Sequence, residues 1–203
     1  IMLVFTLLLA IVTSAAATDD DDYEYEPWEP INITEFLDTT DKIWTIITTA
    51  NDSLECKVDQ KELMNRTHIL FSRKHRTSST TVVSSLQGKF SGPFPYPNSM
   101  NVGPKGGDAT SVEELIYQGK GNDCGVFELR NITRVITGPC YYLYDRPCWQ
   151  YRAFDIRVRG FGGQYSAREC LDWFRKQYPG ETFTRYLYGT SCKNIARLHL
   201  MRS

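Results

Sequence analysis

Six cysteines place the strongest constraint on how this chain folds: Cys56, Cys124, Cys140, Cys148, Cys170 and Cys192. An even number of cysteines without paired Cys-x-x-Cys or His-rich spacing predicts disulfide bonds rather than a metal site. Because disulfides persist in oxidising compartments, we expect an extracellular protein with three disulfides, no metal and no cofactor. Six cysteines allow many pairings, and their spacing does not choose among them.

The start of the sequence predicts secretion. Residues 1–12 are apolar and uncharged, and Ala15 and Ala17 are small enough for signal peptidase. The run is shorter than the ~20 apolar residues that cross a bilayer. We therefore predict a signal peptide at 1–17 and no membrane association. Four Asn-x-Ser/Thr sequons agree with this route as predicted glycosylation sites: Asn32, Asn51, Asn65 and Asn131.

The net charge of −1 is unevenly distributed. Residues 19–29 carry seven acids and no base, which leaves 17 acids against 23 bases elsewhere. We interpret residues 18–30 as a disordered acidic tail. Tyr23 and Tyr25 lie among these acids, as tyrosine-sulfation acceptors do, so the tail is also a candidate contact for a basic host protein.

From Ile43 onward, short β-branched and aromatic runs alternate with turn residues, which favours an antiparallel barrel or sandwich. Strands are predicted at 43–49, 54–59, 67–74, 79–86, 112–118, 125–131, 134–136 with 141–144, 151–159 and 182–188. A short helix is predicted at 32–42, and a second helix after a capping box formed by Ser166 and Glu169. Residues 91–110 contain four prolines and four glycines and are predicted to be one long loop.

The segments around four cysteines resemble a known family. These are Leu54–Val58, Asn122–Phe127, Glu169–Phe174 and Tyr188–Lys193. They resemble the salivary lipocalins of ticks, the group that contains the histamine-binding proteins. The resemblance implies that residues 31–203 form an all-β domain with minor α content. Its expected architecture is an eight-stranded antiparallel lipocalin barrel, with a short N-terminal helix and a late helix packed outside.

The same resemblance implies two disulfides, Cys56–Cys192 and Cys124–Cys170, and leaves Cys140 and Cys148 to pair with each other. It also implies a ligand. The histamine-binding members carry Cys-Asp-aliphatic and a later Glu-Leu-aromatic, because a buried amine needs carboxylates and aromatic faces. Here Gly125 follows the cysteine, and Asp155-Ile156-Arg157 stands in place of the second half.

We therefore expect this chain to sequester histamine or another biogenic amine and so to suppress host inflammatory defence. The candidate ligand-binding residues are Asp155, Glu114, Tyr117, Phe127, Trp44 and Tyr151. Strand alternation leaves open whether Glu113, Leu115 and Tyr117 face the barrel interior, or Glu114 and Ile116 instead.

Basic residues give a second interpretation of the ligand. Arg157 shares a strand face with Asp155, and an ion pair between them would neutralise an amine site. Arg157, Arg159 or Lys57 would instead bind the carboxylate of a fatty acid or leukotriene.

The sequence carries no HExxH, GxSxG or phosphate-binding glycine loop, and His68, His75 and His199 are isolated. We predict a monomeric binding protein rather than an enzyme, without a nucleic-acid partner.

Overall fold

The computed structural model describes residues 30–132, 152–160, 163–182 and 185–197. Eight antiparallel strands form one sheet: β1 Ile43–Thr48, β2 Glu55–Met64, β3 His68–Arg76, β4 Thr81–Ser91, β5 Ser99–Pro104, β6 Ser111–Gln118, β7 Cys124–Asn131 and β8 Arg152–Arg159. Each strand pairs with the next in sequence, and β8 also pairs with β1, so the sheet closes on itself. The predicted fold class, an eight-stranded antiparallel barrel, is confirmed.

The prediction of one long loop at 91–110 was wrong, because β5 lies within it. Met100 and Val102 are buried and alternate with the half-buried Asn101, which is the period of a strand with one face inward. The prolines at 93, 95 and 97 precede β5 and Pro104 is its last residue, so the backbone donors of residues 99–103 remain available for pairing with β4 and β6.

A short helix, α1 Ile33–Leu37, closes one end of the barrel. Asn32 begins it as an N-cap, because its side-chain oxygen accepts hydrogen bonds from the backbone N–H groups of Thr34 and Glu35. The helix is shorter than the predicted 32–42. Ile33, Phe36 and Leu37 are fully or almost fully buried, and the Phe36 ring meets the Phe127 ring edge-on at 5.4 Å between centroids.

The late helix packs against the outside of the barrel. A single turn, α2 Gly163–Ser166, precedes the main helix, α3 Arg168–Gln177. The predicted capping box was wrong: Ala167 occupies the N-cap position, and no side chain caps it. Ser166 belongs to the helical turn before α3, so its backbone is not in the extended conformation of an N-cap.

Two disulfides tie the C-terminal part of the chain to the barrel. Cys56 is bonded to Cys192, and Cys124 to Cys170, as the family resemblance implied. A short strand, β9 Arg185–Tyr186, pairs with β1, and a 3₁₀ helix follows at Thr190–Arg197. The aliphatic and aromatic side chains between the barrel and these elements form one core, and those inside the barrel beside α1 form another.

Several sequence predictions lie outside the described residues. These are the signal peptide at 1–17, all of the acidic tail except residue 30, the Cys140–Cys148 pair, and the strand at 134–136 with 141–144. Among the helices that are described, none has the length and apolar character needed to cross a membrane.

Candidate functional site

Strand β8 brings charge into the barrel. Asp155 and Arg157 lie on its inner face, while Phe154, Ile156 and Val158 point outward into the core beneath α3. The contacts of Asp155 and Arg157 show this direction, because they reach β2 and β6, which are not neighbours of β8. Side chains on non-adjacent strands meet only across the interior of a closed barrel.

Six inward-facing ionic side chains form what we call the charged layer: Lys57, Asp59, Arg73, Glu113, Asp155 and Arg157. Three are cations and three are anions, so the layer is neutral as a whole. Their side chains are between 1% and 14% exposed, which makes this a buried network. A barrel interior with this much charge is held together by pairing, since an unpaired buried charge is strongly destabilising.

Asp155 is the first of two anionic centres. Its Oδ2 accepts a hydrogen bond from Lys57 Nζ at 2.7 Å and from Arg157 Nη2 at 3.1 Å. Its Oδ1 accepts from the Thr48 hydroxyl at 2.8 Å. Burial alone would raise the pKa of Asp155, but Lys57 and Arg157 hold it below its usual range. Asp155 is therefore an ionised carboxylate with both oxygens already in use.

Glu113 is the second anionic centre, and two arginines share it. Arg73 Nη1 donates to Glu113 Oε1 at 2.7 Å, and Arg157 Nη1 donates to Oε2 at 2.6 Å. Arg73 also binds Asp59 through two N–H groups, each 2.7 Å from a carboxylate oxygen. Burial would raise the pKa of Glu113, but Arg157 and Arg73 hold it well below its usual range.

The cations of the layer have unused hydrogen-bond donors. Each of the six oxygens on Asp59, Glu113 and Asp155 accepts at least one hydrogen bond. Among the described residues, the buried Nε of Arg157 has no partner. Lys57 carries three N–H groups, of which one reaches Asp155. The layer can therefore still donate hydrogen bonds, and each of its carboxylate oxygens already has at least one partner.

Aromatic faces lie beside the arginines. The guanidinium carbon of Arg157 is 4.3 Å from the centroid of the Phe127 ring, and that of Arg73 is 5.3 Å from the Phe71 ring. These cation–π contacts help to hold both arginines in position within the layer.

The half of the barrel between the charged layer and α1 is filled. A cavity of only about 10 Å³ remains there, between Leu37, Ile69 and Met100. Gly125 faces the same space, and a Cβ atom there would lie 2.7 Å from Leu115 Cδ1 and 3.1 Å from the Phe36 ring. An aspartate at this position would require Leu115 and Phe36 to move, and Gly125 stands here in place of the aspartate of the amine motif.

The opposite half of the barrel is less filled. Val82 and Leu129 belong to the inward-facing rows of β4 and β7, yet they are only half-buried. Ala153 and Ser84 contribute small side chains to the same half. This open half, above Lys57, is where an apolar ligand has wall residues to contact.

Comparisons with solved structures agree with this architecture. The cockroach major allergen Per a 4 is similar over 81% of this chain and 92% of its own, at 12% identity and a TM-score of 0.50. The chain has the lipocalin fold. Two further similar structures are Japanin from Rhipicephalus appendiculatus, bound to cholesterol, and the siderocalin Ex-FABP, described as having dual ligand specificities.

Those two similarities are more distant. Japanin has a TM-score of 0.42 and 9% identity, and the similarity covers 70% of this chain and 87% of Japanin. Ex-FABP has a TM-score of 0.47 and 8% identity, and the similarity covers 69% of this chain and 84% of Ex-FABP. No protein-family model and no curated protein matches the chain. The lipocalin fold is therefore shown, whereas membership of the histamine-binding group stays a prediction.

The structure places the six predicted ligand residues in different surroundings. Asp155 and Phe127 lie inside the barrel, at or beside the charged layer. Glu114 lies outside, where Arg130 and Asn98 bind its carboxylate. Trp44 is buried in the outer core against Tyr188, at 5.1 Å between ring centroids. Tyr151 lies outside the described residues, and ligand contact by any of the six stays a prediction.

Tyr117 is displaced by an irregularity in its strand. The pairing of β6 with β7 shifts between Leu115 and Tyr117, so Glu113 and Leu115 face inward while Tyr117 faces outward. There its ring stacks on Trp173 of α3, and its hydroxyl donates to Glu169. Alternation alone does not predict a bulge, which is why the sequence grouped Tyr117 with Glu113.

Arg73 and Asp59 were not predicted, although they complete the charged layer. The signal for Arg73 was present: Ile69, Phe71 and Arg73 alternate along β3, with the first two buried in the inner core. A charged residue at the third position of an inward row is atypical, and only the paired acids on β2 and β6 make its burial favourable.

The four sequon asparagines occupy different surroundings. Asn51 and Asn65 are exposed, and Asn131 is half-buried. Asn32 is half-buried and uses its side-chain oxygen to cap α1. Glycosylation at each of them stays a prediction.

Proposed function

We propose that this protein is a secreted lipocalin that sequesters a small lipophilic host mediator whose carboxylate, as in a fatty acid or leukotriene, binds Lys57 and Arg157. The observation that carries the proposal is the state of the charged layer. Its carboxylate oxygens are all engaged, and its free donors are on cations. An incoming anion would bind the remaining N–H groups of Lys57, whereas an incoming cation would compete with Lys57 and the arginines that already neutralise the carboxylates.

The position of Lys57 supports this choice. Its side chain is 11% exposed, more than those of Asp155 and Arg157, and it follows the first residues of β2, at the end of the barrel opposite α1. A ligand in the open half reaches Lys57 with its acidic end while Val82 and Leu129 contact its hydrocarbon. Capture would be stoichiometric, so its effect would depend on affinity and abundance.

Histamine or another biogenic amine is the second candidate. The observation that favours it is the presence of three carboxylates and the Phe127 ring inside one barrel. A ligand ammonium would have to replace Lys57 at Asp155 and leave the lysine to point into solvent. Affinity would then be the difference between two similar ion pairs, which disfavours tight binding.

Calorimetric titration with oleate, a leukotriene and histamine tests both candidates, using two variants with opposite consequences. Lys57→Met should abolish carboxylate binding and should strengthen histamine binding, because Asp155 loses its competing ammonium. Asp155→Asn should abolish histamine binding and leave carboxylate binding in place. Lys61→Met is the matched control, since Lys61 lies on the same strand but pairs with the exposed Asp38.

Carboxylate binding that survives Lys57→Met would overturn the first candidate. Histamine binding that survives Asp155→Asn would overturn the second, and failure of all three ligands to bind would overturn both. Binding of a basic host protein through the acidic tail, sulfated or not at Tyr23 and Tyr25, is a separate proposal that rests on the sequence.

A further inference from the structure

A second concave surface lies outside the barrel, and we call it the outer cleft. It has a volume of about 1090 Å³ and runs between α1, the end of β6, the 3₁₀ turn Lys120–Asn122 and α3. Its walls include Ile31, Ile116 and Tyr96. The cleft is much larger than the residual space beside α1 inside the barrel, and it is independent of the ligand site proposed above.

Aromatic rings form one wall of the outer cleft. Tyr117 and Trp173 stack with their ring centroids 4.6 Å apart and their planes 15° from parallel. Both residues are half-buried, and Tyr96 in the cleft is 48% exposed. Phe94, two residues earlier, is 95% exposed. Exposed aromatic side chains beside a groove are typical of protein-binding surfaces.

Carboxylates supply the charge. Glu169 and Glu35 line the cleft against one lysine, Lys120. Glu169 accepts hydrogen bonds from the Tyr117 hydroxyl at 2.8 Å and from the Lys120 backbone N–H at 3.2 Å, both on Oε1. Burial and this hydrogen bond raise the pKa of Tyr117 to about 12, so the phenol remains a donor that orients Glu169 at neutral pH.

The cleft is held in shape by covalent structure. Glu169 directly precedes Cys170, whose disulfide to Cys124 fastens α3 to the start of β7. Gly119 packs into this junction, where a Cβ would lie 2.8 Å from Cys124 Sγ and 3.2 Å from Glu169 Oε2. The spacing between Glu169 and the aromatic wall is thus fixed before any partner arrives, which lowers the entropy cost of binding.

The sequence next to the cleft is strongly acidic. Pro30 lines the cleft, and the seven acids of residues 19–29 immediately precede it in the chain. The tail therefore adds seven acidic residues, next to the cleft in the sequence, to the two carboxylates that line the cleft. This charge favours a basic partner and speeds its association.

We propose that the outer cleft is a docking surface for a basic segment of a partner protein, and that it receives an arginine side chain. The guanidinium stacks on the Tyr117–Trp173 wall and pairs with Glu169. Arginine fits this site better than lysine because its planar fork both stacks on aromatic rings and binds a carboxylate through two N–H groups.

Three short Gly/Ser peptides of equal length test this proposal, each with two flanking lysines and a central arginine, lysine or citrulline. Binding to the full secreted chain is measured by fluorescence anisotropy at low ionic strength. We expect arginine to bind about fivefold more tightly than lysine and citrulline to bind most weakly. The acidic tail acts equally on the arginine and lysine peptides, so their ratio isolates the cleft.

Two variants locate the effect. Glu169→Gln keeps an acceptor for Tyr117 but removes the charge, and Trp173→Leu removes the stacking wall; each should bring the arginine-to-lysine ratio close to one. Glu62→Gln, which removes an exposed carboxylate from β2, should leave the ratio unchanged. Equal affinity for arginine and lysine peptides, or a ratio that survives both cleft variants, would overturn the proposal.

Discussion

Arg157 is the residue whose removal most directly tests the charged layer. It is 1% exposed, donates to Glu113 at 2.6 Å and to Asp155 at 3.1 Å, and lies 4.3 Å from the Phe127 ring. Arg157→Met keeps a flexible apolar side chain of similar length but leaves two buried anions short of one cation. Breaking one side of a buried ion pair typically costs about 3–5 kcal/mol. We expect about 3 kcal/mol, because Glu113 retains Arg73 and Asp155 retains Lys57.

A second substitution separates charge balance from packing. Glu113→Gln alone leaves three cations facing two anions, and we expect it also to cost about 3 kcal/mol. The double variant Arg157→Met/Glu113→Gln restores the balance with Lys57 and Arg73 against Asp59 and Asp155. Its unfolding free energy should be close to that of either single variant, which corresponds to a coupling energy of about 2–3 kcal/mol.

Urea unfolding followed by tryptophan fluorescence, with the disulfides intact, measures all four proteins under the same conditions. An unchanged dependence of the unfolding free energy on urea concentration would show that the denatured states are comparable. If the two single costs add to within ~0.5 kcal/mol in the double variant, the layer is not a coupled network and the reasoning fails.

Two further predictions follow from the same interior. The folded-state pKa values of Glu113 and Asp155 lie below their unfolded values. Their contribution to stability is therefore complete above the unfolded carboxyl pKa of about 4 and is lost as the pH falls below it. Urea midpoints measured from neutral to acidic pH should show this loss, and a midpoint that does not change with pH would contradict it. Gly125→Ala should destabilise the barrel by about 1–3 kcal/mol, since its Cβ would lie 2.7 Å from Leu115 Cδ1; thermal unfolding within error of the parent would show that the closed end is not tightly packed.

The barrel itself was predictable because it is encoded locally. Alternation predicted β1, β2, β3, β4, β6, β7 and β8, whereas the Cys56–Cys192 and Cys124–Cys170 pairings were implied by the family resemblance. Local composition misled in two places. β5 lies within a Pro/Gly-rich stretch, and its strand character comes from pairing with both neighbours. Ser166 has the composition of a cap, but a preceding helical turn takes it out of that position.

The candidate site was less predictable, because its members come from four strands that are distant in sequence. A charged residue on a strand is normally predicted to face solvent, unless a buried partner of opposite charge is known. The partner of Arg73 is Glu113, which lies forty residues away in the sequence. The two-residue separation of Asp155 and Arg157 did predict their shared face. It did not predict that Lys57 would share the Asp155 oxygen or that β6 would turn Tyr117 outward.

The arrangement of the interior narrows what a ligand must offer. The closed half is packed by α1, so a ligand of the kind proposed would bind in the open half, at the face of the charged layer that it meets. A ligand cation that reaches this face would compete with Lys57 for Asp155, whereas a hydrogen-bond acceptor would bind the remaining N–H groups of Lys57. Selectivity would then depend on whether the polar group of the ligand accepts or donates hydrogen bonds. It would not depend on the net charge of the layer, because the layer is neutral. That is why Lys57→Met should abolish carboxylate binding and strengthen amine binding, whereas Asp155→Asn should abolish amine binding and leave carboxylate binding in place.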